Sequence, residues 1–574
     1  MPSLHWLTKE NDLKTAEKTA YRLLVEDEKL SYGDPESENL LVHGDNLEAL
    51  KALLPFYAGQ VKCIYIDPPY NTGAAKDHYD DNLEHTIWLS IIYPRLELLK
   101  QFLKEDGSIF IQFDDEELHY AKIICDEIFG RNNFINQIAV EMKLTAGASG
   151  GGEDKRLKKN IEFILIYAKN YSTFKKFNDV YEETDLFTLI DEMEANNSSW
   201  KYTNIILEKG NFIEERTLQD GIGEPIVVKK YKCLKRTTVN ALIKEKKSRE
   251  EIYWEYFDTL FSDTNAQTSI RTRIIDEFKV LNNDEMLTAT YVPRSGKDKG
   301  KTVEHLYISP TIRRVIWLKD TALKRGKFLF KREKIGTYWY GFPLNNLTKE
   351  GDVQFPKGKK PEALLEKIIE LATNTDDLIL DSFLGSGTTA AVAHKMGRRY
   401  IGIEMGEQAK THCAVRLKKV IDGEQGGISK AIGWNGGGGF RFFTLGDEIF
   451  DSENRIKSDI TFENLAAHIY FTETKTPMKK QKKKSAFLGI HNGIAYALLY
   501  NGILGDKSER GGNVLTHKTL NIIMNEIDTV EKKNKKTFEY ETLVIYGEAT
   551  KKSYVSLQEN NIVFKQTPYD IKVW

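Results

Sequence analysis

Cysteine is scarce in this chain: 574 residues hold four, Cys63, Cys125, Cys233 and Cys413. None shares a CxxC spacing, so neither a disulfide scaffold nor a zinc site is indicated. Cys63 lies inside an apolar run and reads as a small buried residue rather than a nucleophile. No apolar stretch is long enough to span a membrane, and residues 1–10 lack the uncharged core of a signal peptide, so the expectation is a cytoplasmic protein. The chain also lacks a phosphate-gripping loop of the form G-x-x-x-x-G-K-[ST]. The nearest stretch, residues 295–302, has Ser295 where the first glycine belongs and no apolar strand before it. This excludes a nucleotide-driven motor built on such a loop. No internal repeat is apparent. A formal net charge of −2 argues against a uniformly basic surface.

Two segments carry chemistry. The run Val61-Lys62-Cys63-Ile64-Tyr65-Ile66 reads as a buried strand and ends in Asp67-Pro68-Pro69-Tyr70. Proline fixes φ and removes a donor, so this corner is a rigid lip rich in acceptors. It suits an exocyclic amine: Asp67 and the Pro68 carbonyl accept its two N–H bonds, and Tyr70 stacks on the ring. Taken alone, the four letters read equally as a strand-ending turn. Far downstream, the strand Leu378-Ile379-Leu380-Asp381 runs into Ser382-Phe383-Leu384-Gly385-Ser386-Gly387-Thr388. Residues 388–396 then read as a helix stopped by Gly397. The dinucleotide fingerprint is incomplete, since Ala390 stands at its third glycine. A tight strand-to-helix turn is the bland alternative. A further strand, Tyr400-Ile401-Gly402-Ile403, ends in Glu404, where such folds place a carboxylate for ribose hydroxyls. Both acidic strand ends must lie on one sheet edge, because ligands of open α/β sheets sit outside the strands' carboxyl ends.

Together these segments resemble the amino-group DNA methyltransferases that use S-adenosylmethionine. The stretch from Phe383 to Gly387 resembles their cofactor motif and Asp67-Pro68-Pro69-Tyr70 their catalytic motif, in the permuted order of the family's β group. Phe355-Pro356-Lys357-Gly358-Lys359-Lys360-Pro361 resembles the motif that leads into the cofactor strand, with an insertion. His43-Gly44-Asp45-Asn46 resembles the strand end that sets an acid near the adenine of the cofactor. The resemblance is closer still to the modification subunit of type III restriction–modification systems, through residues 41–46, 57–73, 78–89, 106–110, 126–134, 436–442 and 564–571. It implies cofactor contacts at Asp45, Lys360, Pro361, Asp381, Phe383, Gly385, Ser386, Gly387, Thr388 and Glu404, with S-adenosylmethionine as cofactor and no metal. It implies methylation of adenine N6 in double-stranded DNA on a flipped-out base. It also implies a homodimer that docks a separate ATP-dependent nuclease subunit. Alternatives are an orphan adenine methyltransferase, an N4-cytosine methyltransferase, which more often carries serine for Asp67, and a silent DNA-recognition subunit. RNA or protein-glutamine methyltransferases more often carry asparagine there.

The expected fold is α/β, a Rossmann-like methyltransferase sheet in permuted order. Expected segments are an arm, 1–38; a catalytic half, 39–172; an inserted target-recognition domain, 173–345; a cofactor half, 346–435; and a small α+β C-terminal domain, 436–574, after a glycine hinge at 436–439. The insert reads as basic and irregular, with Lys229, Lys230, Arg236, Arg313, Arg314, Lys324 and Arg325 as candidate phosphate contacts among interleaved aromatics. Charge runs of this kind are equally solvated faces. Residues 146–152, rich in glycine, read equally as a loop that closes over substrate DNA and as a disordered stretch without function.

Overall fold

The structure, a computed structural model, describes residues 3–70, 84–142, 159–245, 247–296, 298–344, 347–355, 358–451, 455–457, 460–479, 484–504, 513–534, 540–567 and 571. The glycine-rich stretch 146–152 lies outside them. So do residues 78–83 and Pro356 and Lys357, which belong to stretches that resemble the family.

Residues divide into two compact units, 1–179 with 336–574, and 180–335. The first is built on one large sheet. Its strands in chain order are β1 Arg22–Glu26, β2 Tyr32–Gly33, β3 Leu40–His43, β4 Val61–Ile66, β5 Leu103–Phe113, β6 Phe134–Glu141, β7 Ile161–Ala168, β8 Tyr338–Trp339, β9 Leu378–Asp381, β10 Arg399–Glu404 and β11 Gly439–Glu448. In space they run β1-β11-β3-β10-β9-β4-β5-β7-β6-β8, with β2 pairing beside β11. From β11 to β5 every neighbour is parallel, and β7 is antiparallel to both β5 and β6. The later β9 and β10 thus stand between β3 and β4, which is how the permuted order closes into one sheet.

Parallel strands buried on both faces read as continuous apolar runs, and these do. Ile64 and Ile66 of β4, Leu378 and Leu380 of β9 and Ile401 and Ile403 of β10 face one core with the helices α1 Asn46–Tyr57 and α2 His85–Phe102. The alternate residues Cys63, Tyr65, Ile379 and Tyr400 are buried too. A helix α3, Glu362–Ala372, packs on α4, Thr388–Lys395. Pro361 is the N-cap of α3 and Gly397, at φ +69, follows the end of α4.

One boundary differs from the sequence reading. The glycine run does not lead out of the sheet: Gly439 opens β11, which pairs with β3 on one side and β1 of the N-terminal arm on the other. Gly436 and Gly438 take positive φ, and a Cβ on Gly436 would lie 2.6 Å from the Ile421 carbonyl. These glycines serve close backbone approach on entry to a strand. Beyond them, the helix Phe462–Thr474 contributes Leu465 and Ile469 to the same core as α1. A four-stranded sheet follows, Phe487–His491, Ile494–Leu498, Thr542–Gly547 and Ile562–Gln566.

The second unit is not irregular. It holds an eight-stranded sheet from Asn204–Glu208 to Arg313–Trp317 in sequence, and a three-stranded one made of Tyr181–Asp185, Ala322–Arg325 and Phe328–Lys334. All its pairings are antiparallel. No described helix is long and apolar enough to cross a membrane.

Candidate active site

β9 lies between β10 and β4, so Glu404, Asp381 and the Asp67 corner all emerge at the carboxyl ends of three adjacent parallel strands. The glycine bend follows β9 directly. Gly385 and Gly387 hold φ of +55 and +81, backbone that L side chains rarely adopt. A Cβ on Gly387 would press on Cys413 at 3.3 Å, whereas one on Gly385 would meet only the Phe383 carbonyl at 4.0 Å, leaving open space beside the turn.

No side chain caps the start of α4. The Glu404 carboxylate accepts the Gly385 amide at 2.7 Å and the Gln408 side chain at 2.9 Å. Asp381 accepts the Phe383 amide at 2.9 Å and the Thr389 hydroxyl at 2.6 Å. Burial nevertheless pushes its carboxyl up to about 7. The Ser382 hydroxyl is buried without a hydrogen-bond partner among the described residues, while its carbonyl accepts from Asn46 at 2.8 Å. Arg416, fully buried, donates to the Thr388 hydroxyl at 2.7 Å and to Glu362 at 2.7 Å, which ties the turn to α3. Ser386 meets the Thr388 hydroxyl at 3.1 Å.

Asp45 is occupied locally. It caps α1 through the Leu47 and Glu48 amides and pairs with Arg95 at 2.8 Å. The neighbouring Asn46 is the buried member of that strand end.

At the Asp67 corner, Trp88 donates its indole N–H to the Pro69 carbonyl at 2.8 Å and so pins the second proline. The Pro68 carbonyl accepts no hydrogen bond from the described residues. Tyr70, expected to stack on the target ring, is held through its hydroxyl. It is 7% exposed, and its hydroxyl bonds to Asp67 and lies 3.0 Å from Glu162. Burial, then the charges of Asp67 and Glu162, raises the phenol well above its ordinary range, so it acts as a neutral donor.

Lys360 departs from its expected place. Its ammonium reaches Glu162 at 2.7 Å, the Tyr70 hydroxyl at 2.8 Å and Asp67 at 3.3 Å, all at the Asp67 corner. Burial opposes its charge, but the two carboxylates outweigh burial and hold it above the usual lysine range. Its main-chain carbonyl accepts the Thr388 hydroxyl at 3.3 Å, so one residue touches both halves of the site.

Sequence reasoning missed Glu162, Gln112, Trp88 and Arg416. Glu162 had a signal: it is the one charge in the apolar strand Ile161–Ala168.

The candidate phosphate contacts are largely engaged within the second unit. Lys229 pairs with Glu215, Lys230 with Glu285, Arg313 with Asp263 and Arg325 with Glu183. Arg314 donates to His305, and Lys324 lies over Trp254. Arg236 is exposed on the strand Lys235–Thr238. The pairs of Lys229, Arg313 and Arg325 are solvent-exposed and so weak, whereas Lys230 meets a buried carboxylate.

The family model described as DNA methylase matches residues 61–415, from the first residue of β4 through both glycine bend and corner. The chain belongs to the DNA methylase family. The chain is 42% identical over 422 residues to the probable type III restriction-modification enzyme HindVI Mod subunit of Haemophilus influenzae, covering 72% of the chain and 55% of that relative. It is 28% identical to the EcoPI Mod subunit of Escherichia phage P1, over 68% of the chain and 61% of the relative. It is 25% identical to the EcoP15I Mod subunit of Escherichia coli, over 82% and 74%. The methylase thus spans little more than half the length of the first of these relatives.

Proposed function

We propose that the methylase transfers a methyl group from S-adenosylmethionine to N6 of an adenine flipped out of double-stranded DNA, as the modification subunit of a type III restriction–modification system. The observation that carries this reading is the meeting, on one sheet edge, of an acceptor-rich corner and a glycine bend with open space beside Gly385.

The site fits the cofactor. The buried, unpartnered Ser382 hydroxyl, the uncapped start of α4 and the carboxylate of Glu404 are polar groups a nucleoside with an amino-acid arm satisfies. Asp381, Phe383, Gly385, Ser386, Gly387, Thr388 and Glu404 would hold it. S-adenosylmethionine supplies an activated methyl on a sulfonium, so the chain needs no strong base. Its task is to orient a weak nucleophile, since the lone pair of an aromatic amine is conjugated into the ring. Asp67 and the Pro68 carbonyl accept the two amine hydrogens, which favours a pyramidal nitrogen and stabilises charge as it develops. Trp88, by holding Pro69, keeps that pair of acceptors fixed.

The second unit is the candidate for sequence recognition, with Arg236, Arg314, Lys324 and the exposed pairs of Arg313 and Arg325 as phosphate contacts. We further propose a homodimer docking a separate nuclease subunit, which supplies the ATP-driven motor.

The test is to sequence host DNA for modified bases with the gene intact and with Asp67→Ala. The expected result is N6-methyladenine at one motif, absent in the variant. N4-methylcytosine at that motif would replace adenine as the target, and no modified base in either strain would favour a silent recognition subunit.

A further inference from the structure

Five elements converge behind the Asp67 carboxylate. Glu162 enters from β7, Gln112 from β5, Tyr65 from β4, Tyr70 from the corner and Lys360 from the segment before α3. Gln112 donates to the Glu162 oxygen Oε2 at 2.6 Å and accepts the Tyr65 hydroxyl at 2.7 Å. That same oxygen accepts from Lys360 and faces the Tyr70 hydroxyl. Tyr70 has one proton and lies against two carboxylates, so it donates to one at a time. An ammonium has three protons, and Lys360 has three acceptors in place: Glu162, Tyr70 and Asp67. Two carboxylates around a single hydroxyl would otherwise drive one of them to take up a proton. Such a proton on Asp67 would remove the charge that attracts the target amine.

We propose that Lys360 and Glu162 are positioning residues for the Asp67 carboxylate: Lys360 keeps it ionised and fixes the direction of Oδ1, and Glu162 holds Lys360 in place. The inference rests on the methyl-transfer reading above. It assigns Lys360 to the catalytic acid and not to the cofactor, and it gives a function to the lone charge of β7. Glu162 agrees with the role. Burial alone would raise its carboxyl, but the Lys360 charge and the hydrogen bonds from Lys360, Gln112 and Tyr70 leave it lowered, hence ionised. Other groups sharing the Asp67 field are Tyr65 on β4 and Asp381 on β9. An Asp381→Asn background removes the one that titrates near neutrality.

The experiment is single-turnover methyl transfer to duplex DNA as a function of pH, in that background, with cofactor affinity measured separately. Lys360→Met is expected to slow the plateau rate on the order of ten- to a hundredfold. Its acid limb should move up by about one pH unit or more, with affinity for S-adenosylmethionine unchanged. Lys360→Arg keeps the charge and should keep the limb near its original pH. Glu162→Gln, nearly isosteric, should move the limb down, because one negative neighbour of Asp67 is lost. The double variant Lys360→Met with Glu162→Gln should return it toward the parent. An unmoved limb in both Lys360→Met and Glu162→Gln, whatever the loss of rate, would overturn the proposal. So would lost cofactor affinity with an unmoved limb in Lys360→Met. If Lys360→Met does not fold, an upward or unchanged limb in Glu162→Gln overturns it alone. A parent protein that transfers no methyl group under any condition would sink the methyltransferase reading, and this inference with it.

Discussion

Replacing Gly387 by alanine separates two costs that the glycine bend carries. Gly387 sits at φ +81, where an L residue loses roughly 1–2 kcal/mol relative to glycine. Its added Cβ would stand 3.3 Å from Cys413 Cα and 3.5 Å from Cys413 Cβ. The obstructing Cα is main chain of the helical turn Ala409–Ala414, which cannot swing aside as a long side chain does. Overpacking of this kind adds about 1–3 kcal/mol. The total loss is therefore about 2–5 kcal/mol. Gly385 is the internal control. Its φ of +55 imposes the same backbone cost, but the nearest atom to its added Cβ is the Phe383 carbonyl at 4.0 Å. Its alanine variant should lose only about 1–2 kcal/mol. Equilibrium urea denaturation of the ligand-free protein reads the difference as a shift in midpoint. Gly387→Ala should fall below Gly385→Ala by about 1–3 kcal/mol. Equal losses would mean that the Cys413 contact constrains nothing, and the reasoning from close approach fails.

S-adenosylmethionine should raise the melting temperature, because a ligand that binds only the native state stabilises it, and Gly385→Val should abolish that rise by filling the open space beside the turn. A rise of the same size in the variant would place the cofactor elsewhere. Asp381 has its folded value raised by burial from 3.8 to about 7, so its contribution to stability is full below about pH 4 and is lost as pH climbs through 7. Asp381→Asn should therefore gain stability relative to the parent between those pH values, by up to about 4 kcal/mol in ligand-free thermal melts. A difference independent of pH would contradict the buried-carboxyl account.

The parallel half of the fold was legible because burial on both faces leaves uninterrupted apolar runs, as at residues 61–66 and 378–381. Asp67, Asp381 and Glu404 were readable as strand-ending acids for the same reason. The second unit was not. In a strand such as Pro225–Lys232, Ile226 and Val228 are the buried residues, and Lys229, Lys230 and Lys232 crowd its second half, so charge hides the alternation. The glycine run at 436–439 was misread because glycines that permit close backbone approach look, in sequence, like a flexible joint. Lys360 and Glu162 lie 198 residues apart, and their pairing follows from β7 and the lead into α3 reaching the same sheet edge, which no local pattern encodes. Tyr70 was read for its ring alone because its type suits stacking, whereas its hydroxyl is held by partners brought from elsewhere in the chain.

The central claim is that Asp67 captures the target amine while the glycine bend holds the cofactor. Transfer of a labelled methyl group from S-adenosylmethionine to duplex DNA by the purified protein and its Asp67→Ala variant, with the cofactor-induced melting shift recorded on both, tests it most directly. The account predicts that the variant keeps the melting shift and loses transfer. Transfer at the parent rate by Asp67→Ala would contradict it.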